Sequence, residues 1–236
     1  NKVPNNIWLG LFAGIISGLA THLYMLMHKL PNWDEINNIW GSGSGDSWGR
    51  WFLKYVRPLS GSWSVPAING LLTIIIVSIA SCFILLALDL KSKTSSILVP
   101  IMAVTFPGLT SIMTFMFTSN SYAMGILFVC IGSFLLSRVK FGWIPAIILF
   151  TCSLGIYQSY ICLAAGVLVL GILLDLMRDF NVHELIKKGA VSLLSLALSL
   201  LVYLFISKTR TTLTDSQGIS DMGQVSLTRI PRLVMR

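Results

Sequence analysis

Residues 67–88 read AINGLLTIIIVSIASCFILLAL, without one charged side chain. A helix rises about 1.5 Å per residue, so this stretch can cross a hydrocarbon layer about 30 Å thick. It is apolar on every side. A strand of an outer-membrane barrel would instead alternate apolar and polar residues. The same pattern extends outward in both directions: charges avoid residues 3–28, 58–88, 94–137, 141–174 and 189–207 altogether. Only 11% of the 236 residues are charged and 55% are hydrophobic, with a mean hydropathy of +0.80. A soluble domain carries about 25% charged residues. A soluble enzyme and a secreted disulfide scaffold are thereby excluded, and the expected fold is an all-α, polytopic transmembrane helical bundle.

Seven spans are expected. The first, Ile7–Met27, has an apolar core longer than that of a signal peptide and no small-residue cleavage site before His28-Lys29, so it reads as an uncleaved span. Gly10, Gly14 and Gly18 repeat every four residues and offer a close-packing face, which His22 continues as a hydrogen-bond partner between helices. The second span is Ala67–Leu88. The run 94–137 is long enough for two spans, at about 97–117 and 122–137, separated by the polar notch Thr118-Ser119-Asn120-Ser121, with Pro100 and Pro107 bending the first of them. The run 141–174 has a similar notch at Gly155-Ile156-Tyr157-Gln158-Ser159-Tyr160 and reads as a hairpin of short helices or one kinked helix. The last span is Ala190–Ile206. Its helix is expected to start earlier, since Asn181 and Glu184 have the spacing of a capping box. The four cysteines lie within apolar runs and show no metal-ligand spacing. The chain begins at Asn1 without an initiator Met and stops in a polar stretch, so it is expected to form one transmembrane domain, residues 1–236, of a longer protein.

Seven spans put Lys91/Lys93, Arg138/Lys140 and Arg178/Lys187/Lys188 on one side in short loops, which the positive-inside rule makes cytoplasmic. The other side then carries an excess of basic residues that needs its own explanation. Much of that excess lies in the first loop, residues 29–66, KLPNWDEINNIWGSGSGDSWGRWFLKYVRPLSGSWSVP, with five of the seven tryptophans. From Asp46 to Val56 the pattern is amphipathic. Trp48, Trp51, Phe52 and Tyr55 share one helical face and Arg50, Lys54 and Arg57 the other, as in a helix lying in the membrane plane. Gly41-Ser42-Gly43-Ser44-Gly45 is a connector and not a phosphate loop, because no Gly-Lys-Ser/Thr follows it. Asp34-Glu35 sits just beyond the membrane surface. Adjacent helical residues point different ways, so only one of the two can face a given atom. The plain reading is a pair of solvated interfacial acids.

The segment Asn32-Trp33-Asp34-Glu35, followed by Asp46-Ser47-Trp48-Gly49-Arg50-Trp51, resembles the first external loop of bacterial serotype-converting O-antigen glucosyltransferases. Tyr157-Gln158-Ser159-Tyr160 in an apolar hairpin and the kinked segment around Pro107 are similar to the same family. The resemblance covers roughly the N-terminal half of a typical member. It implies a GT-C-type membrane glycosyltransferase that takes a hexose, glucose in this family, from a polyprenyl-phosphate donor and gives it to a cell-surface polysaccharide. The site would lie on the outer face of the bacterial inner membrane, with residues 29–66 as the catalytic loop. The resemblance assigns Asp34 as general base and Glu35 to orient the acceptor or help hold a divalent metal. Arg50, supported by Lys54 and Arg57, would meet the donor phosphate, since guanidinium can donate two parallel hydrogen bonds to it. Tyr157, Gln158 and Trp33 would bind sugar or acceptor, with an interhelical hydrogen bond as the alternative for Gln158. No cofactor beyond such a metal is implied, and the partners are the lipid-linked sugar, the polysaccharide and the bilayer. Basic residues spread over interfacial loops give no support to nucleic-acid binding. The rival readings are a transporter or flippase of lipid-linked sugars and a non-catalytic membrane scaffold. Ion-coupled transport usually needs ionisable residues near the midplane, and the expected spans carry no Asp, Glu, Lys or Arg.

Overall fold

The computed structural model describes residues 4–30, 32, 34, 36, 49–60, 64–178 and 181–210. Trp33, Glu35 and the connector 41–45 lie outside the described residues. The elements in chain order are α1 (Asn5–Met27), α2 (Leu53–Val56) with a 3-10 turn at Arg57–Ser60, α3 (Pro66–Ala87), α4 (Lys93–Thr105), α5 (Pro107–Met113), α6 (Ser119–Arg138), α7 (Trp143–Leu154), α8 (Tyr160–Arg178) and α9 (Val182–Arg210). No strand occurs among the described residues. Five of these helices are long and apolar enough to cross a membrane, and the pair α4–α5, bent by 45°, makes a sixth candidate. The seventh apolar segment is uneven with its partner. In place of two short halves, the run 141–174 forms the 12-residue α7 and the 19-residue α8. At about 1.5 Å per residue, α7 reaches about 18 Å and falls well short of a bilayer core.

Apolar side chains cover the outside of the bundle. Phe12, Ile16, Met102, Leu193, Leu201 and Phe205 are exposed, whereas Thr73, Ser78, Ser96, Ser119 and Ser153 are buried. This inversion suits helices whose surroundings are as apolar as leucine, because small and hydroxylated residues then make the close contacts. The expected glycine face of α1 packs as its spacing demands. A Cβ on Gly10 would lie 2.8 Å from the Ser96 carbonyl oxygen, and one on Gly14 would lie 2.8 Å from Ser78 Oγ.

Two prolines and a histidine explain how the broken span survives. Pro100 has no N–H for the carbonyl one turn back, Ser96, and the bare Cα of Gly10 closes over that carbonyl. Pro107 forces Phe106 into an extended conformation (ψ 133°) by crowding the residue before it, so α4 ends and Val104 loses its intrahelical partner. His22 Nε2, 1% exposed, stands 2.8 Å from the Val104 oxygen. A carbonyl only accepts, so this ring nitrogen carries the proton and donates. Freed carbonyls in a membrane helix are tolerated when a neighbour re-satisfies them in this way.

The segments alternate in direction, and hydrogen bonds sort their ends. One end gathers Asn6 donating to Lys91 O, Arg138 to Ala87 O, and Arg178 to Leu88 O and Asp89 O. The opposite end gathers the first loop and the polar notch. There Lys29 donates to Ser64 O, Asn32 to Thr114 Oγ1, Asn69 to Met116 O and Asn120 to Leu59 O. At the start of α9 the Glu184 N–H donates to Asn181 Oδ1 at 3.3 Å, the cap its spacing foretells.

Candidate active site

Of the amphipathic helix expected from Asp46 to Val56, residues 46–48 lie outside the described residues, and 49–52 are not helical. Residues 49–52 form a turn, with Gly49 at φ 74°, a left-handed conformation that ends helix on either side and that side-chain-bearing residues avoid. Helix begins only at Leu53, and it tightens to 3-10 at Arg57 because Pro58 has no N–H for the Lys54 carbonyl. The faces therefore differ from the expected ones. Trp51, Leu53 and Val56 turn inward, while Tyr55 joins Lys54 on the exposed side.

Short α7 makes room for this loop. Trp51 packs with Leu154 and Tyr203, and Leu53 and Val56 pack with Ile156. The Phe52 N–H donates to Gly155 O at 2.8 Å. The loop thus sinks into the bundle where α7 stops.

That insertion carries Arg50 into a ring of tyrosines. Its Nη1 donates to the Tyr122 hydroxyl at 2.9 Å, and its guanidinium carbon lies 5.0 Å from the Tyr157 ring centroid and 5.9 Å from that of Tyr122. Tyr160 donates from its hydroxyl to the Tyr122 backbone oxygen at 3.0 Å and stacks edge-on against Tyr157. Among the described residues, buried Arg50 Nε has no hydrogen-bond partner, and neither has Trp51 Nε1. A buried charged donor left unpaired is costly, so Arg50 Nε is an open position for an acceptor that none of the described residues supplies. Asp34 is exposed, and its carboxylate lies within Coulomb reach of Tyr122, the same residue that holds Arg50.

Of the remaining expected residues, Lys54, Arg57 and Gln158 are described. The Lys54 ammonium rests 5.2 Å from the Tyr55 ring, on the exposed side, and Arg57 is half-buried at the start of the 3-10 turn. Gln158 donates from Nε2 to the Tyr203 hydroxyl at 3.0 Å. The structure therefore brings Asp34, Arg50, Tyr157 and Gln158 to one end of the bundle, with Arg50 and Tyr157 in contact. Three partners were not singled out in the sequence: Tyr122, Tyr160 and Tyr203. Tyr122 directly follows the polar notch and Tyr160 closes the Tyr157–Tyr160 motif, so both carried a signal. Tyr203 lies in an apolar run and carried none. Among the described residues no three of His, Cys, Asp and Glu gather as a metal site.

Beside the tyrosines, an apolar cavity of about 450 Å³ opens between α3, α4, α5, α6 and α8. Val77, Met102, Phe106, Ile112 and Leu163 are among its walls, and Tyr160 also lines it. One side chain thus borders both the apolar cleft and the arginine cluster.

A family model described as glucosyl transferase GtrII matches residues 23–236. The chain belongs to the GtrII glucosyltransferase family. It is accordingly a glycosyltransferase with membrane-compatible helices, acting on a sugar donor and an acceptor. No curated protein and no solved structure matches the chain.

Proposed function

We propose that this GtrII family member transfers glucose from a polyprenyl-phosphate donor to a cell-surface polysaccharide, the O-antigen type of acceptor, at the outer face of the bacterial inner membrane. In this reading the chain is a multi-pass, GT-C-type unit, the N-terminal part of the enzyme, and residues 29–66 are its catalytic loop. The observation that carries the reading is the buried Nε of Arg50, unpaired among the described residues, in a tyrosine cluster whose member Tyr160 also lines an apolar cleft. Such a place suits a molecule with a phosphate at one end and a hydrocarbon chain at the other. A nucleotide-sugar donor has no use for the cleft.

The chemistry follows from charge. The acceptor hydroxyl attacks the anomeric carbon and gives its proton to a carboxylate, for which hydrogen-bond reach is the first requirement. Asp34 takes that role. The sugar–phosphate bond breaks with its electron pair going to the phosphate oxygen. Negative charge then grows where Arg50 presents Nε, and a donor fixed in advance at the place where charge develops is commonly the largest catalytic term. Tyr122 and Tyr157 hold the guanidinium plane, so it need not reorganise. Lys54 and Arg57 add positive potential at the rim. Tyr157 and Trp33 offer ring faces to the sugar, and Glu35 orients the acceptor.

Asp34→Asn in the full-length protein tests this directly. With polyprenyl-phosphate-linked glucose as donor, transfer to polysaccharide should fall at least about a hundredfold, the usual span for losing a general base, while membrane insertion is unchanged. Wild-type transfer in that variant would remove Asp34 from the mechanism. Movement of labelled lipid-linked glucose across the bilayer without transfer would favour the flippase reading.

A further inference from the structure

We propose that Gly49, Gln158 and Tyr203 form a latch that fixes the aim of Arg50, making Gln158 and Tyr203 positioning residues for the step in which phosphate leaves. The inference rests on the role given to Arg50 above. Arg50 lies on backbone with no regular structure of its own, so its direction must be set by what brackets it. On the far side, Phe52 N–H is bonded to Gly155 O and the Trp51 ring lies against the bare Cα of Gly155, where a Cβ would meet it at 2.8 Å. On the near side, Gly49 rests against the hydrogen-bonded pair Gln158–Tyr203. A Cβ there would sit 2.6 Å from the Tyr203 hydroxyl and 3.1 Å from Gln158 Nε2. The positive φ of Gly49 and this absence of space select glycine independently.

The same turn does a second job. Gln158 follows Tyr157, whose ring faces the Arg50 guanidinium. One short segment therefore touches both the backbone before Arg50 and the charged end of its side chain, and the α9 hydroxyl holds that segment from behind. Removing the hydroxyl takes away the bond that ties Gln158 to α9 and the floor under Gly49. Arg50 keeps its charge and its pocket but loses its aim. Small misplacements of this kind lower turnover far more than binding.

The test uses full-length protein in detergent, with polyprenyl-phosphate-linked glucose as probe. Tyr203→Phe should lower kcat about tenfold and change the donor KM less than about twofold. Gly49→Ala should lower it further, and the pair Gly49→Ala/Tyr203→Phe should lose less than the product of the two single losses, because the methyl no longer meets a hydroxyl while the strain of a positive φ remains. In an Arg50→Ala background, Tyr203→Phe should cause no added loss, since coupled residues are non-additive. Full kcat in Tyr203→Phe with Arg50→Ala inactive would overturn the latch and leave the reading of Arg50 standing. An equal loss from Tyr203→Phe in both backgrounds would also overturn the latch, as a structural role acting independently of Arg50. Full activity in Arg50→Ala would overturn the underlying reading itself.

Discussion

Arg138 and Arg178 stand at one end of the bundle and Arg50 at the other, and their guanidiniums meet different chemistry. Arg138 donates to Ala87 O, and Arg178 donates to Leu88 O and Asp89 O. These carbonyls are left over where α3 ends, since the last turn of a helix has no intrahelical donors. His22 closes the Val104 carbonyl in the same fashion inside the bundle. Among the described residues Arg50 closes no carbonyl. It meets a neutral hydroxyl and two aromatic faces there and leaves Nε unpaired although buried. A cation that caps a helix is satisfied by the fold. One held only by rings and a phenol retains its capacity for an anion, and the difference separates a structural arginine from a functional one.

The comparison breaks most visibly through Arg50 itself. Arg50→Ala should reduce glucosyl transfer about 10²–10³-fold, the range for removing one preorganised donor, with the thermal midpoint in detergent nearly unchanged. Arg50→Lys should recover little, because an ammonium lacks the planar fork. A large drop in midpoint with normal turnover in the folded fraction would put Arg50 in the structural group. For His22→Leu the order reverses. The Val104 carbonyl is left buried without a donor, a loss of about 1–3 kcal/mol, read as a lower midpoint with turnover per folded molecule unchanged. Arg178→Ala should do the same on a smaller scale, about 1 kcal/mol, because its carbonyls at the helix end can turn to water.

The smallest effect concerns Asp89, in the turn these arginines cap. The hydrogen bond from Lys91, 3.1 Å away, holds its carboxyl below the ordinary value of 3.8. A carboxyl depressed in the folded state stabilises above the ordinary carboxylate range, and that contribution is lost as pH falls through the folded value. Asp89→Asn, which tolerates the positive φ of 52° there, should therefore lower the midpoint slightly at pH 7, by a margin that shrinks as pH falls below the ordinary carboxylate value. The pair is exposed, so the difference is a fraction of about 1 kcal/mol.

Much of the bundle was legible because bilayer length and backbone satisfaction act locally. Charge-free runs mark the apolar segments, Pro107 marks the bend, Asn181 and Glu184 mark a cap, and Gly10, Gly14 and Gly18 mark a contact face. The site was legible only as an inventory. Asp34, Arg50, Tyr157 and Gln158 could be named from their types and their neighbours in the chain, yet the expected helix from Asp46 set Arg50 on one basic face with Lys54 and Arg57. Gly49 and Pro58 already carried the signals that shorten that helix. What they do not say is where the loop goes.

Sequence alone determined that this chain forms apolar helices with a basic, tryptophan-rich loop at one end, because composition and period fix which segments leave water. Only the tertiary structure decided that α7 stops short, that the loop fills the gap, and that Tyr122, Tyr157 and Tyr203 converge around it. Those contacts join residues dozens of positions apart, where packing and pairing choose the partner and no local pattern records the choice.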